Sequence, residues 1–278
     1  MKITVTMVIL YILYCIRIGT KPCKYFQLNS PCFDRHEGIF SKLDIDQYIP
    51  QEWRLEQRYD DGEVVPEYWP VFVKPEWGQN AAGVERADSP QDLTEIRKRT
   101  KNERVKFLLQ QAAPESREFE IFSMRHYHDQ NNYAVLTVTE AVNESEPNPI
   151  NGIYNPSTKY VEITEQFDST QIGQLWQHVN RIGHFNISRA SVRANSLEDL
   201  MVGRFHVIEV NLFLPMPINM LDRRYGLKQI LDMIRRYMMS LARITKARDK
   251  SLPEKPVFTK IMLYNRESRL LNFLRAKI

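Results

Sequence analysis

The order of strand-like and helical segments constrains this chain most. Alternating, β-branched or aromatic-rich patterns predict β-strands at residues 68–75, 105–110, 118–126, 133–139, 188–193 and 205–210. A capping signal or a 3.6-residue period predicts helices at residues 89–100 and 171–182, and from Leu227 onward. Strands and helices intermingle, and helices close the chain. We therefore expect an α+β or α/β fold.

The composition is that of an ordinary globular protein. The chain has 278 residues, of which 43% are hydrophobic and 26% are charged, so a packed interior is expected. The turn signal at Asp60, Asp61 and Gly62 suggests a boundary near residue 65. We expect an N-terminal region at residues 1–65, a core at 66–222 and a basic helical segment at 223–278.

An apolar run near the N-terminus allows two interpretations. Residues 3–16 are apolar except for Thr4 and Thr6, but this run is shorter than the ~20 residues that a spanning helix needs. A buried or interfacial segment is one interpretation. A signal or anchor segment is the other, because Lys2 precedes the run, although no small-residue cleavage site follows it.

The C-terminal end of the sequence is strongly basic. Residues 223–278 carry 15 Lys/Arg against 4 Asp/Glu. Such an end suits a phosphate-rich ligand, an anionic membrane or nucleic acid, or is simply a solvated helical face.

Cys15, Cys23 and Cys32 match no metal-binding spacing and are odd in number. We interpret them as reduced thiols, which favours a cytoplasmic protein. Such a protein could also be attached to a membrane surface.

Residues 70–83, PVFVKPEWGQNAAG, form the most informative segment. A strand that ends at Lys74 projects an ammonium group past the sheet edge. The small-residue loop from Gly78 to Gly83 can approach a ligand closely and offer backbone N–H groups. Together they suggest a phosphate cradle, with an ordinary strand end and turn as the alternative. The segment is not a Walker A loop, since the lysine precedes the glycines.

A second pair of polar residues follows on a later strand. Glu209 and Asn211 are two positions apart and therefore face the same side of a strand. A carboxylate and an amide oxygen are hard ligands of the kind that Mg²⁺ takes together with phosphate oxygens. Alone, the pair is a weak signal, because surface strands often carry such residues.

These segments together resemble the ATP-grasp superfamily, which includes D-alanine–D-alanine ligase. The resemblance covers roughly residues 40–222, through VFVKPEWGQNAAGV, FLLQQAAPESREFEIF and SRASVRANSLEDL followed by FHVIEVN. It implies two α+β subdomains that grip ATP and Mg²⁺, a carboxylate substrate and no nucleic acid partner. It also implies a carboxylate–amine ligase that acts through an acyl phosphate.

The resemblance further implies a role for individual positions. Lys42 and Lys74 match the lysines that neutralise the ATP phosphates, and the loop from Gly78 to Gly83 matches the mobile glycine-rich loop. Arg189 matches an arginine near the transferred phosphate, so it and Lys74 are the implied catalytic residues. The remaining matches are the adenine hinge at Gln110, Gln111 and Ala112, the ribose-binding acid Glu118, and the magnesium ligands Glu209 and Asn211.

One position departs from the family pattern. The family has arginine–x–aspartate, with the aspartate as a further metal ligand, whereas this chain has Arg189, Ala190 and Ser191. Loss of that negative charge should weaken a second metal and slow phosphoryl transfer. A nucleotide-binding or membrane-surface scaffold protein with weakened catalysis is therefore the alternative to an active ligase. The acceptor substrate and the oligomeric state stay open.

Overall fold

The computed structural model describes residues 3–100, 105–145, 147–248 and 251–275. It contains two antiparallel sheets and seven α-helices within these residues, which confirms the α+β expectation. All the strand pairings between named strands are antiparallel. Cys15, Cys23 and Cys32 form no disulfide bond in the structure.

The smaller sheet has four strands in the order β1–β4–β2–β3. These strands are β1 (Gln57–Tyr59), β2 (Val71–Pro75), β3 (Glu85–Ala87) and β4 (Phe107–Gln111). Helix α3 (Pro90–Thr100) packs its buried Leu93 and Ile96 in one cluster with Val71, Val73 and Leu109 of the sheet. This apolar layer covers one face of the sheet and leaves the face of Lys74 for other contacts.

The larger sheet has five strands in the order β7–β6–β5–β8–β9. These strands are β5 (Arg117–Arg125), β6 (Tyr133–Val142), β7 (Lys159–Glu162), β8 (Ile187–Ala194) and β9 (His206–Asn211). Helices α4 (Ser169–Ile182) and α5 (Leu197–Val202) contribute Leu175, Trp176 and Leu200 to the main core, together with Phe119, Val192 and Val207 of the sheet. Asp168 and Gln171 cap α4 reciprocally, which satisfies its first N–H groups.

The described part of the N-terminal region contains two α-helices. Helix α1 (Ile3–Ile18) spans the apolar run, and short α2 (Lys42–Asp46) begins at the capping residue Ser41. Helix α1 packs along α6 (Leu227–Ala247) in a second core cluster that includes Tyr11, Cys15, Tyr237 and Leu241. Helix α7 (Val257–Arg275) follows. Within the described residues, no helix meets the length and hydropathy needed to span a bilayer.

Candidate functional site

A cavity lies between the two sheets and is lined by both. The small sheet contributes Phe72, Lys74, Gln110 and Gln111, and the large sheet contributes charged and polar side chains of β5, β8 and β9. Two loops also line it, at residues 80–84 and 149–153. The loops touch each other, since a Cβ at Gly152 would lie 3.4 Å from the Cβ of Ala81. The cavity is therefore framed by two sheets and two meeting loops.

Lys74 is a buried cation that joins the two sheets. It is 5% exposed, and its Nζ donates to Gln110 Oε1 at 2.9 Å and to the carbonyl oxygen of Ile208 at 3.4 Å. The β8–β9 register shifts next to Ser191, which leaves Ile208 outside the ladder and its carbonyl open to the small sheet. Burial lowers the pKa of Lys74 to about 7, although the Glu209 carboxylate raises it.

Lys42 reaches the same region from α2. Its Nζ lies 3.6 Å from Glu209 Oε1 and donates to the carbonyl oxygens of Pro75 and Gly78, each at 3.3 Å. Lys42 does not line the main cavity. It shares a smaller adjoining pocket with Lys74 and Glu209. The structure thus brings both predicted lysines into one small pocket with Glu209, and Lys74 and Glu209 also line the main cavity.

Arg189 is held by a carboxylate that the sequence analysis did not single out. Its Nε lies 3.0 Å from Glu120 Oε2, and its Nη1 donates to the carbonyl oxygen of Met216 at 3.4 Å. Ser191 Oγ hydrogen-bonds both carboxylate oxygens of Glu120 at 3.0 Å. All three residues line the cavity. Their alignment follows from strand register, because Glu120 pairs with Ser191 and Phe122 pairs with Arg189.

Glu118 lies on the cavity wall but is already paired. Arg193 donates to Glu118 Oε2 from Nη2 at 3.1 Å and from Nε at 3.3 Å. Arg193 also donates to Asn148 and to the carbonyl oxygen of Pro149, so this pair anchors one of the two loops. Burial raises the pKa of Glu118 to about 7, against the opposing effect of Arg193. A ribose hydroxyl at Glu118 would have to share its carboxylate with this arginine.

Glu209 and Asn211 both line the cavity, as their shared strand face requires. In the register of β8 and β9, Glu209 pairs with Ser191 and Asn211 pairs with Arg189. Their oxygens fit the preference of Mg²⁺ for hard ligands, with phosphate oxygens filling other positions. Among the residues that the structure describes, no group of three or more His, Cys, Asp or Glu side chains forms a metal cluster.

The predicted glycine-rich loop contributes different residues from those expected. Asn80, Ala81 and Val84 line the cavity, whereas Gly78 and Gly83 do not. Asn80 and Ala81 have positive φ angles of 57° and 58°, a conformation that costs a non-glycine residue about 1–2 kcal/mol. Gly78 serves through its carbonyl oxygen, which accepts from Lys42.

The predicted hinge contributes side chains to the cavity and keeps its N–H groups in the small sheet. Gln110 and Gln111 line the cavity, followed by Ala113, but Ala112 does not. The Gln111 N–H donates to the Glu56 carbonyl at 2.9 Å, and the Ala112 N–H donates to the Pro70 carbonyl at 3.2 Å. An adenine ring could therefore use the side-chain amide of Gln111. The two backbone N–H groups have partners already, and so does the Gln110 amide, which accepts from Lys74 and donates to the carbonyl oxygen of Ile208.

Three titratable residues of the cavity, Glu120, Tyr160 and Arg193, were not predicted from the sequence. Glu120 lies two positions after Glu118 on β5, and Arg193 lies two positions after Ser191 on β8. The two-residue period of a strand therefore places Glu120 on the face of Glu118, and Arg193 on the face of Arg189 and Ser191. Tyr160 of β7 also lines the cavity, and burial raises its pKa. Its strand has four residues, too few for a recognisable pattern.

Solved structures that this chain partly resembles include ligases. L-amino acid ligase from Bacillus licheniformis is 17% identical, with a TM-score of 0.48, over 78% of this chain and 50% of that one. Two structures of D-alanine–D-alanine ligase from Bacillus anthracis are each 12% identical over 75% of this chain. The one complexed with ATP has a TM-score of 0.46 and is covered over 68% of its length. The other has a TM-score of 0.48 and is covered over 69%.

The chain thus spans half the length of the first of these structures. No protein-family model matches the chain, and no curated protein matches it. Identities of 12–17% and TM-scores below 0.5 assign neither an activity nor a substrate to this chain. The chain is an α+β protein.

Proposed function

We propose that the cavity binds ATP with Mg²⁺ and that the protein is an ATP-dependent carboxylate–amine ligase. The observation that carries the proposal is that Lys74, Arg189, Glu209 and Asn211 line one cavity between the sheets. Lys42 lies beside Glu209 in the adjoining pocket. Cations at that place would balance a triphosphate. Hard oxygen ligands beside them would hold Mg²⁺ and so help to bridge and neutralise the phosphates.

The proposed reaction has two steps. In the first, a substrate carboxylate oxygen takes the γ-phosphoryl group of ATP, which gives an acyl phosphate and ADP. In the second, an amine attacks the acyl carbon, which forms the amide and releases inorganic phosphate and a proton. The protein contributes chiefly by positioning the reactants and by stabilising charge on the phosphoryl oxygens.

Each cation has a distinct part in this proposal. Arg189 would exchange its ion pair with Glu120 for a phosphate oxygen, since its planar guanidinium suits a phosphate. Lys74 has a pKa near 7 when ATP is absent, and a neighbouring polyphosphate would stabilise its charged form. Lys42 is held by Glu209 and by two carbonyl oxygens, so it adds positive charge without moving far.

Calorimetric titration of ATP, with and without Mg²⁺, tests the proposal. We expect saturable binding that tightens with Mg²⁺, and a loss of at least tenfold in affinity for Arg189→Met, which is about 1.4 kcal/mol. Arg235→Met serves as the matched control, because the Arg235 side chain is 60% exposed on α6, and it should bind like the wild type. Absence of binding at millimolar ATP would rule the proposal out.

A nucleotide-binding protein without catalysis is the alternative on the same site. It is favoured by Ser191, whose hydroxyl group is directed at Glu120 and carries no charge. Phosphate release from ATP, measured with mixtures of candidate carboxylates and amines, separates the two functions. Robust turnover by the wild type would reject the alternative. ATP binding without turnover, together with turnover gained by Ser191→Asp, would support it.

A membrane-surface role is a second candidate, carried by the outer face of α1. Six large apolar residues of this helix form one continuous stripe: Val5, Val8, Ile9, Ile12, Leu13 and Ile16. Their side chains are between 39% and 67% exposed. The opposite face is fixed by the core, and Tyr11 Oη lies 3.0 Å from Thr245 Oγ1. A helix with one packed face and one apolar exposed face suits insertion into a membrane interface.

The surrounding charge favours an anionic bilayer as the occupant of this stripe. The first acidic residue of the sequence is Asp34, whereas Arg17 and Lys21 follow the stripe and are exposed. Lys246 of α6 donates to the carbonyl oxygen of Ile18 at 2.6 Å and so adds a third cation at this end of α1. Each basic residue near an anionic surface contributes about 1 kcal/mol to membrane binding.

Vesicle sedimentation tests this role. The protein should sediment with vesicles of phosphatidylcholine and phosphatidylglycerol, less with phosphatidylcholine alone, and less in high salt. Ile9→Asp with Leu13→Asp should abolish sedimentation, whereas Val202→Asp, an exposed valine of α5, should not. Recovery of the wild type in the supernatant would contradict the role. So would a dimer, found by ultracentrifugation, that the α1 variant dissociates, because a second copy would then cover the stripe.

A further inference from the structure

A row of oxygen-bearing side chains crosses the large sheet above the cavity. Glu120 of β5 pairs with Ser191 of β8, and Ser191 pairs with Glu209 of β9. Directly paired residues in antiparallel strands point to the same face. Two carboxylates therefore flank a short hydroxyl side chain, with the outer backbones about 10 Å apart at the usual strand spacing. All three residues line the cavity.

Burial of the Glu120 carboxylate is energetically unfavourable, and its present partners offset only part of the lost hydration. Its side chain is 10% exposed, and a buried carboxylate costs several kcal/mol unless cations and hydrogen bonds offset the loss of water. The Ser191 hydroxyl group supplies one proton. Arg189 supplies charge at 3.0 Å, but its Nε makes no hydrogen bond of good geometry. A carboxylate with about four acceptor sites has capacity for another cation.

We propose that Glu120 is a magnesium ligand, and that Glu120, Glu209 and Asn211 together hold the cation that accompanies ATP. Ser191 is short enough to leave space between the two carboxylates, and its hydroxyl group orients Glu120. This inference rests on the proposed function. It also changes the expectation for Ser191, because the negative charge absent at position 191 is supplied from the neighbouring strand, 3.0 Å from the serine oxygen.

The same contacts imply that Glu120 and Arg189 exchange ion-pair partners when nucleotide and cation bind. Without nucleotide, Arg189 neutralises Glu120. With nucleotide and cation bound, Arg189 would face a phosphate oxygen and Glu120 would face the cation, so both buried charges stay paired. Removal of the Glu120 charge should therefore have opposite effects on two affinities. It should weaken cation binding, and it should leave metal-free ATP binding unchanged or strengthened, since Arg189 is released.

The test measures Mn²⁺, as a probe for Mg²⁺, by electron paramagnetic resonance in the presence of a non-hydrolysable ATP analogue. Analogue affinity in EDTA is measured separately. We expect Glu120→Gln to lower Mn²⁺ affinity at least tenfold while analogue affinity in EDTA does not fall. The double variant Glu120→Gln with Ser191→Asp should regain most of the Mn²⁺ affinity, because the carboxylate returns one strand away.

Glu140→Gln is the matched control. Glu140 is also a glutamate of this sheet in an arginine ion pair, with Arg117 at 2.7 Å, but it pairs with Phe119 and so points to the opposite face. It should leave Mn²⁺ affinity unchanged. Thermal unfolding of each variant verifies folding. If Glu120→Gln does not fold, Glu120→Asp replaces it, and its shorter reach should also weaken Mn²⁺ binding several-fold.

The outcomes separate this inference from the proposed function. If the wild type binds no analogue under either condition, the proposed function fails. If it binds the analogue but Glu120→Gln keeps Mn²⁺ affinity within twofold, only the role of Glu120 is overturned. Equal losses of Mn²⁺ affinity and metal-free analogue affinity would also overturn it, because they would indicate a structural role.

Discussion

Replacement of Lys74 by methionine should stabilise the unliganded protein near neutral pH. The pKa of Lys74 is about 7 in the folded protein, against an ordinary value of 10.5, chiefly because the side chain is buried. A difference of this size corresponds to about 5 kcal/mol of cost for the charged form, at 1.36 kcal/mol per pKa unit. Methionine has a similar length and no charge. Some of the gain is offset because Gln110 Oε1 loses its donor, so a net gain of about 2–4 kcal/mol is expected.

The sign of the pH dependence follows from proton binding. Between pH 7 and 10.5 the unfolded chain holds a proton on Lys74 that the folded protein lacks. Wild-type stability should therefore rise with pH in this window, by up to about 1.36 kcal/mol per pH unit. The advantage of Lys74→Met should shrink in parallel and reach zero before pH 10.5, because the variant lacks the hydrogen bond to Gln110 at every pH.

Urea unfolding of the wild type and of Lys74→Met at pH 7, 8 and 9 measures this difference. Lys98→Met is the control, because the Lys98 side chain is 66% exposed and its replacement should change stability little at any of these pH values. A Lys74→Met variant that is less stable than the wild type at pH 7 would refute the reasoning. A difference in stability that does not change with pH would refute it as well.

Four further outcomes are expected. At pH 8, ATP binding should take up about 0.9 proton as the phosphates recharge Lys74, measured by calorimetry in buffers of different ionisation enthalpy; Lys74→Met should show no such uptake. Leu175→Ala, at a fully buried core position, should cost about 3 kcal/mol in urea unfolding. Burial would raise the pKa of Asp222, but hydrogen bonds from Arg224 and from the Glu162 N–H outweigh it and lower the pKa. Asp222→Asn should therefore lower the free energy of unfolding by about 1–3 kcal/mol above pH 4, and by progressively less as acid titrates the wild-type carboxylate. Gly203→Ala should cost about 1 kcal/mol in the same assay, because the φ of +80° ends α5 in a left-handed conformation.

Strands with long, regular patterns were predictable from the sequence. The alternation at residues 118–126 and the β-branched run at 133–139 correspond to β5 and β6, and the charged and apolar pattern at 171–182 corresponds to α4. Strands β1 and β3 have three residues each, and β7 has four. Such strands form because neighbours pair with them, so local periodicity carries little information about them. Helix α5 has six residues and less than two turns, so it is too short to show a helical period.

The candidate site shows the same division between local and long-range information. Glu209 and Asn211 share a face because of their spacing, which any strand imposes. The proximity of Lys74 to Ile208 depends on a register shift between β8 and β9, and no local pattern records such a shift. Glu120 was visible as an alternating residue, but its contact with Ser191 required the pairing of β5 with β8. Register is fixed by packing across the sheet, beyond the reach of a single segment.

A crystal structure of the protein with Mg²⁺ and a non-hydrolysable ATP analogue tests the central claim most directly. The account predicts that the triphosphate lies between the two sheets, with phosphate oxygens within hydrogen-bonding distance of Lys74 Nζ and of the Arg189 guanidinium group. Glu209 should then share a cation with those phosphates. A triphosphate bound elsewhere, with Arg189 still paired to Glu120, would contradict the account.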